Sequence, residues 1–77
     1  MNIKKAREYF DLGVIQSFEV LRSPMSSGWL IQVVGREGQT WVIQTALRSD
    51  KIYASLDTLI GEIENITGRV TGFTVRI

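Results

Sequence analysis

Cysteine and histidine are both missing from this 77-residue chain. Without cysteine there are no disulfides, no thiolate zinc sites and no thiol nucleophiles. With histidine gone as well, general acid–base work falls to carboxylates, lysine or tyrosine. Long apolar runs are lacking too: none approaches the roughly 18 residues of a membrane span, and no apolar h-region follows Lys4, Lys5 and Arg7 near the N-terminus. The expectation is a cytoplasmic protein that does not contact a membrane. Nor does one sign of charge dominate. Nine Lys and Arg against eight Asp and Glu leave a net charge of +1, far from the basic excess of a typical phosphate-backbone binder.

What is present reads as one small folded domain spanning residues 1–77. Hydrophobic residues make up 44% of the chain and charged residues 22%, proportions of an ordinary globular protein with a single core. Asn2 suits an N-cap, and Ile3, Ala6 and Phe10 recur at helical spacing before Gly13, which predicts a helix over about residues 3–12. Residues 14–22 fit a strand imperfectly, with Phe18 and Val20 alternating against Ser17, Glu19 and Leu21. The Ser23–Gly28 stretch reads as a turn. Residues 29–34 and 40–45 are rich in β-branched and aromatic residues and are joined by the hairpin loop Gly35–Gln39. Ile52-Tyr53-Ala54 forms a short additional strand candidate. Ser55 then caps a second helix whose stripe is Leu56, Leu59, Ile60, Ile63 and Ile66, and Gly68 stops it. A last strand is expected from Arg69 to Ile77, with Phe73, Val75 and Ile77 on one face.

The expected fold is therefore α+β, with two helices on one face of a four- or five-stranded, mainly antiparallel sheet in the order α-β-β-β-(β)-α-β. Placing Val33 opposite Trp41 sets Ile31 against Ile43 and gathers Trp29 with them on a core-like face. The opposite face then carries Leu30, Gln32, Val34, Val42 and Gln44, more apolar than a solvated sheet face normally is.

The chain carries no arrangement that points to catalysis, a metal or a cofactor. Its six serines have no histidine partner and no nucleophile elbow. Glu62 and Glu64 lie two apart on a helix, so they face different directions and read as a solvated acidic face. Asp50 and Asp57 match no calcium-loop spacing. Gly35-Arg36-Glu37-Gly38 has the letters of a Gly-x-x-Gly clamp but joins two strands instead of two helices. Trp29 and Trp41 share a face with Ile31, Val33 and Ile43 and so read as core, with base stacking as the other use of such residues.

The order helix–strand–strand–strand–helix over roughly residues 3–67 resembles that of double-stranded RNA-binding domains. Where that family begins its second helix with a lysine-rich cluster, this chain has Ser55-Leu56-Asp57-Thr58, so no binding residue carries over. The run Asn2-Ile3-Lys4-Lys5-Ala6-Arg7-Glu8-Tyr9-Phe10, with Gly13, the Pro24–Trp29 turn and Ser55-Leu56-Asp57, resembles small accessory proteins encoded on bacterial plasmids and integrative elements. That resemblance implies a mobile-element setting and a binding role. The expected function is a non-enzymatic protein-interaction module that self-associates as a homodimer, or else binds another protein, through Leu30, Gln32, Val34, Val42 and Gln44. The alternative is a nucleic-acid-binding accessory of plasmid replication or maintenance, using Lys4, Lys5, Arg7, Arg36 and Arg48.

Overall fold

A computed structural model describes residues 1–68 and the backbone of Val75 and Arg76. Its elements run α1 (Ile3–Asp11), β1 (Ile15–Arg22), β2 (Trp29–Gly35), β3 (Thr40–Val42), α2 (Leu56–Thr67) and β4 (Val75–Arg76). β1, β2 and β3 form an antiparallel meander, and β4 pairs in parallel along the free side of β1. The class is α+β. Of the expected strand over residues 69–77, Val75 and Arg76 are described; Phe73 and Ile77 lie outside the described residues.

Both helices begin and end for local reasons. Asn2 Oδ1 accepts the Lys5 amide at 2.8 Å, satisfying one of the free donors of the first turn. At the other end Gly13 takes φ 76. The Gly13 amide donates to the Phe10 carbonyl and the Val14 amide to that of Tyr9, both at 3.0 Å, the pair of bonds that defines a Schellman cap. In α2, Ser55 Oγ accepts the Thr58 amide at 3.2 Å, Asp57 sits in the positive first turn, and Gly68 closes the helix at φ 69.

The imperfect alternation of β1 has a structural cause. Ile15 pairs with Gly35 and Ser17 with Val34, so the register shifts between them and Gln16 is the extra residue of a bulge. Ile15 and Phe18 are three apart, and strict alternation would send them to opposite faces. The bulge corrects the parity, and both end up fully buried in the same core.

The β2–β3 register is the one the side-chain pattern implies, with Val33 opposite Trp41. β3 is shorter than expected. Ile43 still donates to the Ile31 carbonyl at 2.9 Å, but the chain then folds back and Gln44 bridges to Asp50. The segment Ile52–Ala54 contributes a single bridge between Tyr53 and Trp29, not a strand. Gly28 makes room for it, because a Cβ there would collide with the Ile52 side chain and crowd the Tyr53 carbonyl.

One core joins the sheet to both helices. Phe18, Val20, Ile31, Val33 and Ile43 from the sheet pack with Ala6 of α1 and with Leu59, Ile63 and Ile66 of α2. Ile60, expected in the α2 stripe, is exposed instead. Trp29 and Trp41 share the core face as expected but are only partly buried. The Arg22 guanidinium lies 4.5 Å from the Trp29 ring centre, and Tyr9 meets Trp41 edge to face at 5.5 Å.

Candidate interaction surface

Because side chains alternate along a strand, the face opposite the core is set by the same register. It carries Ser17, Glu19 and Leu21 from β1, Leu30, Gln32 and Val34 from β2, and Thr40 and Val42 from β3, with Glu19 beside Gln32 and Gln32 beside Val42. The buried apolar residues of α1 and α2 all belong to the core on the other side. Among the described residues, neither helix covers this face.

The five residues expected to form an interface fare differently there. Gln32, Val34 and Val42 lie at the surface, half-buried by their neighbours. Leu30 is 7% exposed, so it forms the floor of the patch and adds little to its open area. Gln44 is committed elsewhere: its Oε1 accepts the Met1 amino group at 3.0 Å and its Nε2 donates to the Arg48 carbonyl at 3.3 Å. Met1 also donates to the Val42 carbonyl at 3.1 Å and accepts the Gln44 amide at 2.7 Å. It thereby occupies the outer edge of β3, which would otherwise expose unpaired backbone groups. Sequence reasoning missed Leu21, which is 39% exposed and pairs directly with Leu30. Its place on this face follows from the alternation of β1 once the bulge is known.

The five basic residues of the alternative reading do not converge. Arg7 reaches across to α2, where its Nε donates to the Asn65 carbonyl at 3.3 Å and its guanidinium to Asn65 Oδ1. Arg36 sits at the far end of α1, its Nε donating to the Gly13 carbonyl at 2.6 Å. Lys4, Lys5 and Arg48 remain grouped around the start of α1, lining shallow depressions there.

Glu62 departs most from its expected role as a solvated acid. Its Oε1 accepts Lys51 Nζ at 2.8 Å and the Tyr53 hydroxyl at 3.2 Å, while its Oε2 accepts Asn65 Nδ2 at 3.3 Å. Burial works to raise its pKa, but the hydrogen bonds from Lys51, Asn65 and Tyr53, with the charge of Lys51, prevail and hold it below its ordinary 4.5. Burial, and then the neighbouring carboxylate, push the Tyr53 phenol upward. The group is a polar clasp linking the 51–53 segment to α2, and Asn65 extends it to Arg7 of α1. No protein-family model matches the chain, and no curated protein or solved structure is significantly similar to it.

Proposed function

We propose that this chain is a non-enzymatic interaction module that pairs with a second copy of itself through the sheet face that neither helix covers. The observation that carries this reading is a run of apolar residues across three neighbouring strands, Leu21 paired with Leu30, Val34 farther along β2 and Val42 on β3, with Gln32 among them between Glu19 and Val42. Scattered apolar residues need no explanation, but a contiguous patch across a sheet marks a surface that gains by being covered. A mixed apolar and amide character suits an interface between separately folded copies. Twofold pairing of one face with itself is the commonest closed arrangement. Gln32 then supplies the cross-interface hydrogen bonds, since Gln44 is occupied within its own chain. A cytoplasmic setting on a bacterial plasmid or integrative element accompanies this proposal, supported by the lack of cysteine and by the wording of residues 2–10.

Sedimentation velocity tests it. At tens of micromolar, roughly the range in which modest interfaces assemble, the chain should sediment as a dimer and Val42→Glu as a folded monomer. A wild-type chain that stays monomeric throughout this range refutes self-association.

A further inference from the structure

Residues 44–51 form a turn whose shape is fixed by an unusual number of hydrogen bonds. The Thr45 amide donates to the Ser49 carbonyl at 2.8 Å and the Arg48 amide to the Thr45 carbonyl at 3.0 Å. Thr45 Oγ1 accepts the amides of Leu47 and Ser49 at 3.3 and 3.4 Å, and Gln44 Nε2 holds the Arg48 carbonyl at 3.3 Å. Arg48 lies at φ 63, the one residue other than glycine in the left-handed region among those described. A side chain larger than Asn is uncommon in that conformation, and its cost is sustained only where surrounding contacts insist on it. The outcome is a hydrogen-bonded apex with Arg48 on it and Leu47 88% exposed.

Two depressions flank this turn and share Asn2, Gln44, Thr45 and Ala46 as walls. Lys4 and Lys51 line one, and Lys5 and Arg48 line the other; no Asp or Glu lines either. Four of the nine Lys and Arg residues thus meet at one end of the molecule. Lys51 is held by Glu62. The Lys5–Glu8 pair is long, at 3.6 Å, with both side chains about half exposed, so it competes weakly with an incoming anion. Lys4 and Arg48 have no ion-pair partner among the described residues.

We propose that this end of the molecule is a phosphate-contacting surface for a nucleic-acid backbone, with Lys4, Lys5 and Arg48 making the contacts and Lys51 adding to the field. Cations spread over two adjoining depressions match a chain of phosphates better than one small anion, and phosphate contacts need charge and position without a deep pocket. An anionic bilayer is the weaker fit, since a lone leucine at the apex offers little to insert and interfacial segments normally present a whole apolar helix face. The inference is independent of the sheet-face pairing, which uses other residues.

The probe is a fluorescein-labelled DNA duplex of mixed sequence, followed by anisotropy from about 30 to 200 mM salt. Three phosphate contacts predict a log–log salt slope of about −2.7, and removing one contact should reduce it by about 0.9. Lys4→Glu places an acid in the first turn of α1, where the helix dipole favours it. Arg48→Asn keeps a residue that tolerates positive φ. Neither change therefore gives a reason to unfold, and each should weaken binding several-fold with the shallower slope. Arg36→Glu, at the far end of α1, should leave both unchanged. Three results overturn the proposal: no duplex binding at the lowest salt, equal weakening by Arg36→Glu, or binding confined to phosphatidylserine vesicles and abolished by Leu47→Ser.

Discussion

Glu62 shows how far a residue's role can depart from its place in a helical pattern. By spacing it belongs to the polar side of α2, where Glu62→Lys would be tolerated. In the fold its side chain is 16% exposed and bound by Lys51, with Tyr53 and Asn65 as further donors. A lysine there removes these hydrogen bonds and sets two ammonium groups against each other. The expected loss is about 2 kcal/mol, the scale of hydrogen bonds to a charged group. Leu59→Asp, which puts a carboxylate in the fully buried core, should cost more than about 3 kcal/mol. Urea denaturation of the two variants measures both. A carboxyl held below its ordinary pKa contributes stability that is complete above the unfolded value and lost as pH falls to the folded one. The wild-type protein should therefore weaken as pH drops below 4.5, and Glu62→Gln should flatten that part of the decline.

The elements depend on single residues at their ends and interruptions. The β1 bulge at Gln16 lets Ile15 and Phe18 share a core, and the bend at Gln44 ends β3 early and carries the chain back past Ile43, to whose carbonyl Lys51 donates at 3.0 Å. Gly28 admits the 52–53 segment beside the start of β2, where Trp29 and Tyr53 exchange two backbone hydrogen bonds of 2.9 Å. Gly28→Ala must push that segment away or distort the turn. It should cost about 1–3 kcal/mol, as overpacking usually does. A small residue at this point also affects α2, because Lys51 and Tyr53 on the displaced segment are the partners of Glu62. Hydrogen exchange gives the check: Gly28→Ala should accelerate exchange at Trp29 and Tyr53 before the rest of β2.

For the whole molecule, the helices and the sheet face they cover form one core; among the described residues neither helix covers the other sheet face, for which we propose a partner. If two copies supply that partner, assembly stabilises the native state by mass action. The melting temperature should then rise with protein concentration in the wild type and stay constant in Val42→Glu. A melting temperature independent of concentration in both would place the cover of this face outside the homodimer. The proposed phosphate-contacting surface lies around the start of α1, so a dimer paired through its sheets would present two such surfaces to one nucleic acid. Their combined avidity would depend on whether both reach the backbone together.

Local physics sufficed for much of the structure, and the sequence alone determined it. Asn2 and Ser55 start the helices and Gly13 and Gly68 end them, because caps act within a few residues of themselves. The Val33–Trp41 register was legible because one choice gathers the apolar side chains on a single face and a slip by one scatters them. The two-faced character of the sheet followed from that choice. Tertiary structure alone decided the rest. The bulge at Gln16 is a parity correction that has meaning only once Ile15 and Phe18 share a core. Glu62 became a clasp through Lys51 and Tyr53, and Gln44 a brace for Met1, through partners 9 to 43 residues away in sequence. Which lysines and arginines stand together was decided in the same way. A helix pattern says only which side of its own axis a residue faces, and the identity of what lies opposite is set by how distant segments pack.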